Sequence, residues 1–397
     1  MALPGMKSTA DFAADERPKN WRDGILLLSP RNDAPLFALT AAMKSEVTDD
    51  PEFYWWEEPI DMHQVVVSGA QTNVDTAIEL VALGTRLKAG DVLKNGRTGE
   101  AVRVVSVTSD TVINVTRAIG PGGTLAGTAA AMNDTDVLMF VGSGYREGAP
   151  RSSGVSWAPT KRSNVTQIFR DPIEITRTAE KTRYRTGNPL ANDRRRALHK
   201  HSIGLERAFW LGTRYETTES GQPLRFTDGV LNRIPAANIK TVVATGQTAG
   251  YMDLDEFESY LAGIFAYGSR EKLAFVSLNV MLRLATMVRK NTEYQWGPRE
   301  KEFNLSVRRF HTPAGTLIFT EHPLFGQAGQ FLADDMVVMD TANLKFRYVT
   351  DTVLLKDRET PGDDGKVEEY LTEAGLEVHH PDTFFWLKGI KGGAKDN

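Results

Sequence analysis

The residues of this 397-residue chain whose types suit proton transfer or metal binding are Glu57 with Glu58, Asp334 with Asp335, and the histidine pairs His199 and His201, His311 and His322, His379 and His380. Their spacing works against them. Glu57 and Glu58 are adjacent in EFYWWEEP, an aromatic run expected to be a strand, where neighbouring side chains point to opposite faces and do not converge on one bond. Asp334 and Asp335 fail in the same way, and ETPGDDG reads as a solvated turn. His199 and His201 lie two apart on an expected helix, where metal ligands need a spacing of three or four. His379 and His380 diverge in an expected strand. His311 and His322 flank an expected hairpin and can approach, with no acidic cluster beside them. The glycines of AIGPGGTLAG precede neither a Lys-Ser/Thr pair nor a helix, so they read as a turn run, and GxSxG does not occur. No catalytic residue, metal site or cofactor is expected.

Two other constellations remain. Between Lys181 and Arg214, basic residues stand at Lys181, Arg183, Arg185, Arg194, Arg195, Arg196, Lys200, Arg207 and Arg214, with few acids between them. This run reads either as a solvated helix face or as a contact for nucleic-acid phosphates or acidic neighbours. Trp55, Trp56 and Trp157 fall in expected extended segments, where large aromatics left in water are costly. They either pack under the β-rich module described next or anchor a contact with another subunit.

The elements that position these residues follow from patterning. Residues 1–24 are polar and aperiodic, GILLLSP is a brief apolar anchor, and 35–46 fits a short amphipathic helix through Leu36, Leu39 and Met43. EFYWW is a strand whose expected partner is 160–182, TKRSNVTQIFRDPIEITRTAEKT. Between them, residues 65–141 alternate valine runs with glycine turns and read as a small antiparallel β module, closed by the Gly/Ser/Pro-rich return at 144–160. NPLANDRRRALHKHSIGLERAFWLGTR predicts a long helix with an Asn cap and Pro in its first turn. SGQPLRFTDGVLNRI reads as loop, DLDEFESYLAGIFAYG as a helix capped by Asp253, and KLAFVS with LNVMLRLATMVRK as a buried strand and helix. The rest reads mostly as strands.

Composition sets outer limits. The chain is long enough for two or three folding units, and its formal net charge of -4 gives no global attraction to polyanions or membranes. With Cys 0, disulfides and thiolate chemistry are excluded. The segment MALPGMKSTADFAADERPKN lacks the pattern of a secretory signal, and no apolar run approaches about 20 residues, so a soluble chain made in the cytoplasm is expected.

In kind and order, these segments resemble the major capsid proteins of tailed bacteriophages with the Hong Kong 97 type fold, especially the subgroup with an enlarged extension loop. SPRNDAPLFALTA looks like the family's arm, EFYWWEEP and NVTQIFRDPIEITRTAEKT like the two strands of its extension loop, and NDRRRALHKHSIGLERAFWLG like its spine helix. FTDGVL looks like the connector, DLDEFESYLAGIFAYG, KLAFVS and LNVMLRLATMV like the axial domain, and GQFLADDMVVMDTANLKFRYV like the return to the peripheral domain. The resemblance implies an α+β fold with an N-terminal arm at 1–46, an extension loop at 47–186 carrying an inserted β domain at 65–148, a peripheral domain with the spine helix at 187–250, an axial domain at 251–326, and return strands at 327–397.

It further implies a subunit that assembles with many copies of itself, as hexamers and pentamers, into the icosahedral head enclosing double-stranded DNA. Portal, scaffold and decoration proteins are implied partners, with non-specific contact to packaged DNA, no cofactor and no membrane. The virion is the implied location, with assembly in the host cytoplasm. Candidate contacts between subunits are Trp55, Trp56, Glu57, Glu58, Arg170, Arg177, Arg194, Arg195 and Arg196. An encapsulin-like compartment shell is the alternative within the fold. A carbohydrate-binding protein using Trp55, Trp56 and Trp157 as stacking platforms is the alternative outside it.

Overall fold

The computed structural model describes residues 43–58, 63–151, 154–184, 187–242, 251–252, 254–290, 299–302, 305–326 and 332–393. The chain divides into two compact units, one of Met1–Trp55 with Ser163–Asn397 and the other of Trp56–Arg162.

The apolar run LAFV, preceded by Lys272, occupies the middle of a seven-stranded sheet in the first unit. Its strand, Glu271–Val276, runs parallel to Thr316–Glu321 and antiparallel to Met336–Met339. Leu273 and Phe275 enter one core with Trp210, Val337, Met339 and Trp386, while Ala274 and Val276 enter a second with Phe257, Leu261, Val280 and Leu284. A strand buried on both faces has no polar side to alternate with, which is why this sequence lacks period-2 patterning. The second core is covered by the helices Leu254–Ile264 and Leu278–Lys290. The expected cap Asp253 lies outside the described residues.

The first core lies beneath the 23-residue helix Pro189–Leu211, about six turns long. Asn188 starts it, accepting from the Ala191 amide, and Pro189 takes the position where a missing N–H costs nothing. The helix packs on a four-stranded sheet ordered Lys44–Val47, Leu344–Leu355, Gly365–Val378, Gln167–Thr176. Phe209 meets Phe169 and Phe346 edge-on, at centroid distances of 6.5 and 5.7 Å. His201 is buried, with Nδ1 3.0 Å from Asp171 and Nε2 2.7 Å from Thr372.

Three local expectations change. The helix expected over 35–46 lies outside the described residues up to position 42, and Lys44–Val47 is a strand pairing in parallel with Lys345–Tyr348. That sheet edge supplies hydrogen bonds which a short helix in water lacks. The segment read as loop after the long helix contains a hairpin, Tyr215–Glu219 with Gln222–Phe226, turned through Ser220 (φ 51) and Gly221 (φ 78). Two left-handed residues make a tight hairpin turn, and a free-standing ladder tolerates Pro223 at its edge. The partner expected for EFYWW is also shorter: Glu52–Glu57 pairs only with Thr160–Val165. Gln167–Thr176 instead pairs in ten-residue register with Gly365–Val378, and Arg177–Lys181 is a helical turn capped by Thr176.

In the second unit, six antiparallel strands run in the order Gln64–Val66, Val137–Ser143, Asp91–Asn95, Ala101–Ser109, Val112–Thr116, Ala77–Glu79. Val65, Ile78, Leu93, Val102, Val104, Ile113, Val115 and Leu138 form its core. Glu100, fully buried, is held 2.7 Å from the Arg117 guanidinium and accepts from the amides of Ala118 and Ala130. Asp136 accepts from Arg97, Asn95 and the Asn133 amide, and the Arg97 hydrogen bond holds its carboxyl far below the ordinary range.

Candidate functional site

The strand Glu52–Glu57 separates its aromatics by alternation. Phe53 and Trp55 face inward, at 6% and 8% exposure, whereas Tyr54 and Trp56 face outward at 47% and 65%. Inside, Trp55 stacks on Phe53 at 6.2 Å, lies 5.8 Å from the His379 ring and receives the Arg233 guanidinium over its face at 5.9 Å. Gly375 makes room for this packing, because a Cβ there would come within 2.6 Å of the Val165 carbonyl and 2.9 Å of the Phe53 ring. Trp55 is thus held within its own chain. Alternation aims Trp55 inward, so that of the two adjacent tryptophans Trp56 is the one turned outward.

Three polar residues fix the base of the two strands. Asn164 is fully buried; its amide group donates to the carbonyls of Leu376 (2.6 Å) and Asp228 (3.2 Å), and its oxygen accepts from the amides of Val165 and Asp228. Arg214 bridges both strands, donating to Glu52 at 3.1 Å and Ser163 at 2.6 Å. Arg233 donates to the Ser163 carbonyl while covering Trp55. Sequence reading counted Arg214 only as part of a basic run and missed Asn164 and Arg233. A polar residue amid the strand-like NVTQIF was the one available signal.

The other candidates are mostly paired within the chain. Glu57 is buried and lies 3.4 Å from Arg162, and exposed Glu58 accepts from the Trp157 indole at 3.0 Å. The Arg86 guanidinium covers the Trp157 ring at 4.9 Å. A ring covered on one face with its N–H already engaged is a poor sugar platform. Arg170 pairs with Glu369 at 2.6 Å, Arg177 with Asp364 at 2.9 Å, Arg196 with Asp193 at 3.2 Å and Lys200 with Asp171 at 2.9 Å. Arg194 makes a two-pronged pair with Glu368, which holds that carboxyl below its usual range. Within the positive run, Arg194, Lys200 and Arg214 are thus paired with carboxylates on other segments and Arg196 with Asp193 on its own helix. Lys181, Arg183, Arg195 and Arg207 stay exposed, with no carboxylate paired to them among the described residues.

The remaining acid and histidine pairs resolve as structural groups. His322 is buried against Glu206 at 2.9 Å and Trp210 at 3.1 Å, while His311 meets Thr316. Asp335 accepts from the Trp386 indole and the Gly389 amide, and Asp334 pairs with Arg283. Among the described residues, no cluster of three or more His, Asp or Glu is placed to hold a metal ion.

The family described as SU10 major capsid protein matches residues 6–391. A major capsid protein of Pseudomonas phage PaMx41 is 24% identical over 357 residues, covering 89% of this chain and 81% of that relative. Among solved structures, the capsid of an empty GTA particle aligns with TM-score 0.49 and 11% identity, over 98% of each chain. Mycobacterium phage Bobi aligns with TM-score 0.47 and 10% identity, over 96% of this chain and 97% of the other. The holo-SrpI encapsulin complex of Synechococcus elongatus aligns with TM-score 0.42 and 9% identity, over 61% of this chain and 81% of the other.

Proposed function

The chain belongs to the SU10 major capsid protein family, and from that premise we propose how this phage capsid subunit, of α+β Hong Kong 97 type, holds its neighbours. Copies of the chain associate into the capsid shell of a virion. The reading is of a structural protein with no reaction of its own.

The proposed contact element is the pair of strands Glu52–Glu57 and Thr160–Val165, acting as the root of an extension loop over 47–186. The observation that carries it is the outward turn of Tyr54 and Trp56 on a strand whose inward side is locked to the body by Trp55, Asn164 and Arg214. A rigid base with an exposed aromatic tip loses little conformational freedom on docking, so more of the contact energy remains as affinity. Each contact need contribute only a few kcal/mol, because a subunit held by several neighbours leaves only when all release together.

The long helix is proposed as the spine of a peripheral domain over 187–250, with 251–326 as the axial domain at the capsomer centre, 327–397 as return strands and 1–46 as an arm. Hexamers and pentamers, a portal, a scaffold, decoration proteins and assembly in the host cytoplasm belong to the same proposal. Exposed Lys181, Arg183, Arg195 and Arg207 are the residues proposed to meet packaged DNA without base readout.

Electron microscopy of the expressed chain, with thermal melting of subunits and particles, tests this reading. Trp56→Ala is expected to leave subunit stability within about 0.5 kcal/mol while lowering particle yield and particle melting. Trp55→Ala is expected to destabilise the subunit itself by about 3–5 kcal/mol. Normal particles with unchanged melting in Trp56→Ala sink the proposed contact.

A further inference from the structure

The antiparallel register that joins Gln167–Thr176 to Gly365–Val378 sets Pro172 opposite Glu369 and Glu174 opposite Val367. Side chains alternate across a sheet, so Arg170, Pro172, Val367 and Glu369 share one face. Phe169 and Asp171 are on the other, packed against the long helix through Phe209 and His201. The face turned away from the helix holds a cleft of about 460 Å³, lined by Arg170, Pro172, Val367 and Glu369 from the sheet and by Asp357, Arg358 and Glu359 from the loop that leads into Gly365–Val378.

The chemistry of this cleft is specific. Glu369 lies 2.6 Å from Arg170, which orients that guanidinium, and 3.8 Å from Arg358, close enough for attraction without a hydrogen bond; their side chains are 53% and 47% exposed. Two half-exposed guanidinium planes beside a proline ring form a surface for the face of an aromatic side chain, through cation–π and stacking contact. The carboxylate of Asp357 at the same cleft is an acceptor for a ring-borne donor. The cleft thus favours an aromatic ring that carries a donor, a description met by tryptophan and tyrosine.

Among the described residues Trp56 is the most exposed aromatic of this kind, at 65% against 58% for Tyr215 and 40% for Trp157, whose ring and N–H are already engaged. We propose that Trp56 of one copy inserts into the Arg170–Pro172–Val367–Arg358 cleft of a second copy, with its indole between the guanidiniums and its N–H toward Asp357. This rests on the reading of the outer face of Glu52–Glu57 as a contact between subunits, and it names the receiving site. Arg170 then serves the contact as a stacking plane while its charge stays paired with Glu369.

The chain contains no cysteine, so introduced thiols report cleanly. Two singly substituted chains, Trp56→Cys and Val367→Cys, are co-assembled with distinguishable tags and treated with a short bismaleimide. A covalent heterodimer joins different chains by construction. The control pair is Trp56→Cys with Tyr215→Cys. A fixed contact raises effective concentration, so the Val367 pair is expected to give roughly a hundredfold more heterodimer than the control. In parallel, Arg358→Ala is expected to lower particle melting in the direction of Trp56→Ala and to add little to it in the double variant.

If Trp56→Ala weakens particles but the Val367 pair yields no more heterodimer than the control, the cleft is overturned and the outer-face contact stands. If Trp56→Ala leaves particles unchanged, both fall. Should either cysteine variant fail to assemble, additivity of Trp56→Ala and Arg358→Ala on particle melting overturns the cleft by itself.

Discussion

The two units pair their buried carboxylates over different sequence distances. In Trp56–Arg162 the two carboxylates of the β-sheet module draw on arginines near in sequence, Glu100 on Arg117 at 17 residues and Asp136 on Arg97 at 39, while Glu57 and Arg162 pair across the two ends of the unit. In the first unit, buried Glu368 draws on Arg194 across 174 residues and Glu369 on Arg170 across 199, and the buried His322 ring meets Glu206 across 116. Local closure costs little chain entropy, whereas the first unit pairs Glu368 and Glu369 only after distant segments meet, although Asp228 and Arg233 close locally there. The Trp56–Arg162 unit is therefore expected to open separately from the body.

The largest expected effect tests whether that separation is real. Glu100→Ala leaves Arg117, whose side chain is 7% exposed, as a buried charge without its carboxylate, at a cost of about 3–5 kcal/mol. Hydrogen exchange should quicken in Asp91–Asn95, Ala101–Ser109 and Val112–Thr116 while Glu271–Val276 keeps its protection. Equal loss of protection in both units breaks the comparison. Glu206→Ala is the reciprocal case and is expected to cost about 1–3 kcal/mol, because it removes the carboxylate acceptor of the buried Trp210 indole and of the His322 ring. Its loss of protection should be confined to the body.

The same contrast explains what the sequence disclosed. The antiparallel module was legible as a module because alternation and glycine turns mark its strands, and Asp91–Asn95, Ala101–Ser109 and Val112–Thr116 pair in succession; the pairing of Gln64–Val66 with Val137–Ser143 and of Ala77–Glu79 with Val112–Thr116 was not legible. The long helix was legible from Asn188, Pro189 and its apolar face. The extent of the Glu52–Glu57 pairing was not, since Gln167–Thr176 suits either of two partners and the one it takes lies about two hundred residues on. The arginines misled for the same reason: nothing near Arg194 announces Glu368. The period-2 rule that separates Glu57 from Glu58 also separates Trp55 from Trp56, and applying it to the tryptophans isolates the one that faces outward.

A smaller effect separates the units by pH. Lys272 is buried with its ammonium donating to the carbonyls of Ile264, Tyr267 and Thr383, and burial pushes its pKa down to about 8. The unfolded chain returns it to about 10.4, so between about pH 8 and 10.4 the unfolded state binds more protons. This group's contribution therefore makes the body more stable as pH rises through that window, and its penalty is greatest below it. Melting of wild type minus Lys272→Met, followed from neutral to alkaline pH, is expected to rise for the body and stay level for the inserted unit. A level difference in both removes the assignment.

The smallest expected effect shows that distance in sequence alone is not what matters. Arg177 and Asp364 are also far apart along the chain, yet their side chains are 71% and 64% exposed. Water screens such a pair and ordering two mobile side chains offsets the attraction, so Arg177→Ala is expected to change stability by less than about 0.5 kcal/mol in denaturant unfolding. A loss comparable to that of Glu206→Ala in this variant means that the long-range pairs act as one network across the body, and that burial is not what distinguishes them. A null result places the closure energy of the body on Glu206, Glu368 and the cores beneath them, and leaves the surface arginines available for neighbouring copies.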